Sequence, residues 1–343
     1  MPSQFQLRQV PLFVIQRELI LGGRQPNPPP LWMYLFTSQP LTQLESMSLC
    51  YSLVTLLVIS TLILFTQQTA TAAAIETSHQ TAARLPIPQF VKGKHFDRIV
   101  TVVFENKDYE QVVRDKIFSS LATMYNGRVL TNYHGVTHPS QPNYIAMISG
   151  STDGADEDAE SNIDRKNVID LLEAKGITWK SYQEQYTGGC NRKMRISGYV
   201  RKHNPFISFR NIQNDWRRCS KIVNSIQLDR DIVSDMVPQY VFYTPDIKND
   251  GHDTDVSYAS QWLRRFLDLR MSSPAFTKNT LFVVTFDEDD SNTDQNRVYT
   301  VVFGPDIKWS STARENDKYY NHYSLLRTIE DNSGRFRPER HIF

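Results

Sequence analysis

The sequence predicts an α/β fold with a mainly parallel central sheet flanked by helices. Three observations lead there. Arg98–Phe104, Tyr240–Thr244, Leu281–Phe286 and Val298–Phe303 are short, nearly continuous apolar runs rich in β-branched and aromatic residues. Strands buried on both faces read this way. Helical patterns lie between them: Val168–Lys175, which stops at Gly176, and Tyr258–Leu269, with apolar residues at helical spacing. Strand and helix therefore alternate, with Ile177–Tyr182 as a further strand, and alternation of this kind builds a parallel sheet. Residues 96–343 read as one domain, with 186–225 as an irregular insert around two cysteines.

The chain before residue 96 differs. Residues 1–46 hold seven of the 17 prolines, show no periodicity, and are expected to be an irregular extension. Leu53–Phe65 is an uncharged apolar run, shorter than the roughly 20 residues a membrane-spanning helix needs. Its length and the small residues Thr69–Ala74 suit a signal peptide over 47–74, with an uncleaved membrane anchor as the alternative. Residues 75–95 read as a lead-in linker. Cys50 falls in the leader, leaving Cys190 and Cys219, and an exported chain is expected to bridge them.

Lys and Arg number 38 against 37 Asp and Glu, a net charge of +1. No single-sign field exists to drive nucleic-acid binding, and no nucleic-acid partner is expected. Membrane contact is expected only through the apolar N-terminal run or a lipid substrate.

In parallel α/β sheets, ligands sit at the carboxyl ends of the strands. The first strand ends in Glu105 and Asn106; the Tyr240 strand runs into Asn249-Asp-Gly-His252; the Leu281 strand ends in Asp287-Glu-Asp-Asp290. Oxygen ligands delivered to one edge repel one another unless a cation or substrate needs them. The Asp287 run is no EF-hand, because Asn292 stands where its glycine is required. Asp153–Glu160 is also acidic but follows no strand, and is read as solvated surface.

Two prolines bracket Ser140, and a helical pattern follows from Tyr144. A serine at a helix N-terminus suits a nucleophile attacking an anionic group; equally, it suits a simple N-cap. His322 lies at the start of another helix, and Lys202-His-Asn-Pro-Phe206 is either a phosphate-contacting segment or a turn. There is no Gly-x-Ser-x-Gly elbow, His-Glu-x-x-His, P-loop or Gly-x-Gly-x-x-Gly, which lowers the standing of α/β-hydrolases, zinc proteases, kinases and dinucleotide enzymes.

Taken in order, Phe104-Glu-Asn106, His138-Pro-Ser-Gln-Pro-Asn-Tyr144, Asn249-Asp-Gly-His252, Thr285-Phe-Asp-Glu288 and Asn321–Asp331 resemble the phosphoesterase family of bacterial phospholipases C and secreted acid phosphatases, in the alkaline phosphatase superfamily. Tyr199–Phe206 is similar to a segment of the fungal acid phosphatases. The resemblance implies an alkaline-phosphatase-like fold and metal-dependent phosphoryl transfer. It implies Glu105, Asn106, Asp287 and Glu288 as metal ligands, Ser140 as nucleophile, and His252 or His322 as general acid. It further implies Asn143, Asp250 and His203 as substrate-binding residues.

The cofactor so implied is one divalent ion, Mg, Ca, Mn or Zn. The expected function is a secreted phosphoesterase of acid phosphatase type that works through a phosphoserine. A phospholipase C acting on phosphatidyl lipids and an inactive phosphate- or lipid-binding protein are the alternatives. An apolar rim around the site would favour lipid; a basic one, a phosphomonoester. The segment after Asp331 is shorter than in family members, so a terminal strand or cap is expected to be missing.

Overall fold

Arg98–Phe104 is buried at every position and forms the central strand β1, as its unbroken apolar run requires. The computed structural model describes residues 59–61, 90–293 and 295–334. The strands joining β1 in one sheet are β2 (Arg128–Leu130), β3 (Trp179–Gln183), β4 (Ile222–Asn224), β5 (Tyr240–Thr244), β6 (Thr280–Phe286), β7 (Thr300–Phe303) and β8 (Glu315–Asn316). Their spatial order is β8-β2-β7-β6-β1-β5-β3-β4. β1 pairs in parallel with β5 and β6, and β3 in parallel with β4 and β5. β7 runs antiparallel to both β6 and β2, so the sheet is mixed, though mostly parallel.

The flanking helices that matter for the site are α1 (Lys116–Met124), α2 (Ser140–Ser149), α3 (Val168–Ala174), α4 (Val256–Asp268) and α5 (His322–Asn332). Alternate residues of β1 face opposite ways. Ile99 and Val103 join a core with α2, α3 and α5, which includes Ile145, Ile169 and Leu326. Val100, Val102 and Phe104 join a second core with α1 and α4, which includes Phe118, Leu263 and Phe266. The result is a sheet covered on both faces. All ten residues of α2 are buried, which fixes its N-terminus tightly in space.

The helix boundaries follow local chemistry. Asp255 starts α4 by accepting from Tyr258 N at 2.8 Å. Asn321 starts α5 in a capping box, accepting from Tyr323 N and Ser324 N at 3.1 and 3.2 Å. α3 ends at Ala174, and Gly176 takes the left-handed φ of 72° that turns the chain into β3.

The insert around the cysteines is more ordered than expected. It supplies the edge strand β4 and two 3₁₀ turns, Arg201–His203 and Pro205–Ser208. Cys190 is bonded to Cys219, 29 residues apart, with 5.3 Å between Cα atoms. Replacing both cysteines by serine is expected to cost about 3–4 kcal/mol in the loop-entropy account. A urea titration reads this as a lower midpoint.

Two compact units are distinguished, Met1–Arg84 and Leu85–Phe343. In the first, only residues 59–61, one exposed helical turn, are described. The expected leader and the segment from 335 on therefore lie almost wholly outside the described residues. Among those described, no helix is long and apolar enough to cross a membrane.

Candidate active site

β1, β5 and β6 are parallel neighbours, so their carboxyl ends open on the same edge. Phe104 and Phe286 lie side by side in the ladder, and Asp287 N continues it by donating to Phe104 O at 3.0 Å. Glu105, Asn106, Asp287 and Glu288 thus leave the sheet together. Asn106 has a φ of 44°, a left-handed conformation that asparagine tolerates better than most residues. Its backbone N–H donates to Asp287 Oδ1 at 3.4 Å. After β5, Glu105 N donates to Asp250 O at 2.9 Å, which ties the third strand end to the first. Gly251 follows with a φ of 102°, where a Cβ would stand 3.4 Å from the Glu105 carbonyl.

Ser140 is the first helical residue of α2, and the extended Pro139 occupies the cap position. Its side chain does not cap the helix. Oγ is 3.0 Å from Glu105 Oε2 and 2.9 Å from Glu288 Oε1, and its single proton serves one of them at a time. Lys202 Nζ donates to the same oxygen at 3.3 Å. The hydroxyl is therefore held between two carboxylates and an ammonium.

Charge in the cluster is unevenly compensated. His203 bridges Glu105 Oε2 and Asp250 Oδ2 at 3.2 and 3.1 Å, and stacks on Tyr144 with centroids 5.1 Å apart. Burial would favour its neutral ring, but the Glu105 and Asp250 carboxylates outweigh this and raise it to about 9. Burial would raise Glu105 too, yet the His203 charge draws it down to about 2. Burial, followed by the Glu105 charge, lifts Glu288 to about 7; burial and both neighbouring carboxylates push Asp287 well above the usual range. Two oxygens of this kind and an amide oxygen have no partner among the described residues: Glu105 Oε1, Asn106 Oδ1 and Asp287 Oδ2 are buried without a hydrogen bond there. Among the described residues, no group of three or more His, Cys, Asp or Glu side chains is arranged to hold a metal. The three unpartnered oxygens, from two carboxylates and one carboxamide, do fit a hard cation by their chemistry.

Other residues singled out in the sequence make contacts within the fold that the sequence did not reveal. Asn143 accepts from Val136 N at 2.8 Å and Thr137 N at 3.2 Å, and donates to Thr137 O at 2.6 Å. Its amide binds the backbone ahead of Ser140. Asn143→Ala would leave these groups unpaired in a buried place. It is expected to cost about 2–3 kcal/mol, seen as a lower melting temperature together with lost turnover. His203, expected with Asp250 to touch substrate, lies between Asp250 and Glu105.

His322 is fully buried. Its Nε2 donates to Asp287 O at 2.6 Å, and its Nδ1 faces the Tyr133 hydroxyl at 3.3 Å. Burial lowers its pKa to about 4, so the ring is neutral and both nitrogens are engaged. Half-buried His252 lies nearer the opening, with Nδ1 2.9 Å from Asp253 Oδ1 and Nε2 3.5 Å from Lys202 Nζ.

Two participants were not legible as such. His138 Nδ1 is 2.6 Å from Glu288 Oε2, and holds that carboxyl on its far side. Asp158 belongs to the acidic run read as solvated surface, but it turns inward to accept from Gln141 N at 3.0 Å and Lys202 Nζ at 2.7 Å. Only its place just before Pro139, next to the Ser140 segment, could have hinted at the first; nothing in the pattern marked the second.

Sheet, buried helix and hydroxyl–carboxylate cluster together define an α/β protein with its candidate chemistry at the carboxyl edge of a parallel sheet core. The chain belongs to the Phosphoesterase family, whose model matches residues 113–334, more than half of its length. It is 37% identical over 278 residues to the phosphate-repressible acid phosphatase of Penicillium chrysogenum, covering 78% of this chain and 66% of that one. It is 38% identical over 253 residues to a probable acid phosphatase of Kluyveromyces lactis, covering 71% and 59%. The match thus spans less than two thirds of either fungal protein. A phosphatidylinositol-3-phosphatase of Mycobacterium tuberculosis is 29% identical over 240 residues, covering 68% of this chain and 76% of that one.

Proposed function

We propose that this chain is a secreted phosphoric ester hydrolase of the acid phosphatase type, working through Ser140. The observation behind this reading is the Ser140 hydroxyl, 2.9–3.0 Å from two carboxylates, of which Glu105 keeps its second oxygen buried and unpartnered among the described residues. Relatives named as acid phosphatases support the substrate class. The apolar N-terminal run and the Cys190–Cys219 bridge support export.

Glu105, Asn106 and Asp287 would hold a divalent cation, and their all-oxygen donors favour Mg, Ca or Mn over Zn. Such an ion, when bound, supplies charge neutralisation for the phosphoryl group and acidifies a neighbouring hydroxyl. The remaining roles fall to the chain. Both Glu288 oxygens already have partners, Ser140 and His138, which suits Glu288 to take the hydroxyl proton. Ser140 Oγ then bonds to phosphorus as the bond to the leaving alcohol breaks, and His252 protonates that alcohol. Water next attacks the phosphoseryl group and gives a proton to His252. Oγ departs and recovers its proton from Glu288. His203 and Asp250 orient Glu105, and His322 holds Asp287 by its carbonyl.

Polar groups around Ser140 — Lys202, Asp158, His252 and His138 — favour a phosphomonoester over a lipid tail. The mycobacterial relative supports a second reading, the phosphate of a phosphoinositide headgroup. Phosphate release from p-nitrophenyl phosphate and from phosphatidylinositol 3-phosphate vesicles separates the two. The first reading expects the higher kcat/KM on the soluble ester; a preference for the vesicles overturns it.

A further inference from the structure

Lys202 is the ammonium nearest the nucleophile, and its principal partner is an acidic side chain of the same molecule. Nζ lies 3.3 Å from Ser140 Oγ and 2.7 Å from Asp158 Oδ2. Asp158 Oδ1 accepts from the backbone N–H of Gln141, the residue after the nucleophile, at 3.0 Å. One carboxylate thus bridges an ammonium and an amide at the N-terminus of a fully buried ten-residue helix. A helix N-terminus and a cation side by side bind anions through this same pair of donors. A third feature marks the position as a ligand site: Glu105, whose Oε2 is 3.0 Å from Ser140 Oγ, keeps Oε1 fully buried and unpartnered, the oxygen assigned above to a cation, which a phosphoryl group held by Lys202 and the Gln141 N–H would meet from its other side.

We propose that Asp158 stands in for the substrate's phosphoryl group, and that this group, on binding, displaces it and takes over Lys202 Nζ and Gln141 N–H. This rests on the hydrolase reading above. A phosphoryl group attacked by Ser140 Oγ must bring its non-bridging oxygens within reach of donors already grouped around that oxygen. Two anions do not share one ammonium and one amide at contact distance, because their repulsion exceeds what either gains.

The tether is built to be released. Asp158 lies in a run whose residues 156–160 are all exposed, and its own side chain keeps 31% of its surface in water. Partly solvated ion pairs of this kind contribute little to stability and exchange readily. Lys202 by contrast is only 16% exposed, and stays where it is when its partner leaves. Although burial disfavours its ammonium, the Glu105 and Asp158 charges prevail and keep it protonated. Asp158 therefore competes with substrate, whereas Lys202 receives it.

The test pairs kinetics on p-nitrophenyl phosphate with calorimetric binding of inorganic phosphate, on the full chain. Asp158→Asn is expected to lower both the KM and the phosphate Kd about two- to fivefold, with KM moving more than kcat. Lys202→Ala is expected to raise both about tenfold or more, and Lys202→Arg to recover part of that loss. The double variant should bind phosphate somewhat more tightly than Lys202→Ala, by less than the gain from Asp158→Asn alone, since Asp158 then competes only for the Gln141 N–H. Asp158→Asn leaving both constants unchanged, or raising them, overturns the proposal and makes Asp158 a loop support. The binding arm does not depend on turnover. Tighter phosphate binding by Asp158→Asn in a chain without hydrolase activity sustains this site while the hydrolase reading fails. Normal hydrolysis with no Asp158 effect does the reverse.

Discussion

Ser140→Ala is expected to lower turnover of p-nitrophenyl phosphate by at least about a thousandfold while the chain stays folded. The size follows from its role, because removing a nucleophile forfeits the covalent route and leaves only binding and electrostatic effects. Retention of the fold follows from the geometry. Ser140 sits at the start of α2 without capping it, so the helix loses no cap, and alanine is a good helix former. The loss is confined to one hydroxyl that contacts Glu105, Glu288 and Lys202. A melting curve within a few degrees of the parent, with turnover gone, is the expected pair of results. Normal turnover on both the soluble ester and phosphoinositide vesicles would mean that Ser140 is not the nucleophile.

Chelation of divalent ions should have the next largest effect, a loss of turnover of about a hundredfold or more that Mg, Ca or Mn restores. It should also lower the melting temperature. Glu105 Oε1, Asn106 Oδ1 and Asp287 Oδ2 lack partners among the described residues, and Asp287 stands beside the Glu105 and Glu288 charges. A cation on these oxygens binds the folded chain alone, and at a hundred times its Kd contributes about 2.7 kcal/mol to stability. Chelation should therefore be visible in a thermal melt of Ser140→Ala, where no activity remains to be measured. An unchanged melt of parent and variant with and without chelator would count against a bound ion.

The sheet core was legible because burial on both faces leaves an unambiguous trace. Arg98–Phe104, Tyr240–Thr244 and Leu281–Phe286 are unbroken apolar runs, and the strands observed match them within one residue. The direction of β7 was not legible. Thr300 pairs antiparallel with Thr285, but an apolar run reads the same in either orientation. The short strands β2, β4 and β8, toward the two ends of the sheet, have two or three residues each, too few to show a period.

At the site, the strand ends gave Glu105, Asn106, Asp287 and Glu288 their place, because parallel pairing brings them to one edge. Partnerships made across the fold were hidden. His203 stands between Glu105 and Asp250 only because the cysteine-flanked insert turns back over α2. Asp158 reaches Lys202 from a run that composition alone marks as solvent. The residue type of Asn143 suited a ligand contact, but only coordinates reveal that the backbone of residues 136–139 already uses both ends of its amide.

The central claim is that one hydroxyl, aimed by a buried helix and carboxylates, accepts the phosphoryl group itself. Rapid acid quenching during turnover, followed by mass mapping of peptides, tests it directly. The account predicts one phosphoryl group on the peptide containing Ser140, and none in Ser140→Ala. Steady turnover with no label on that peptide at any quench time would contradict it.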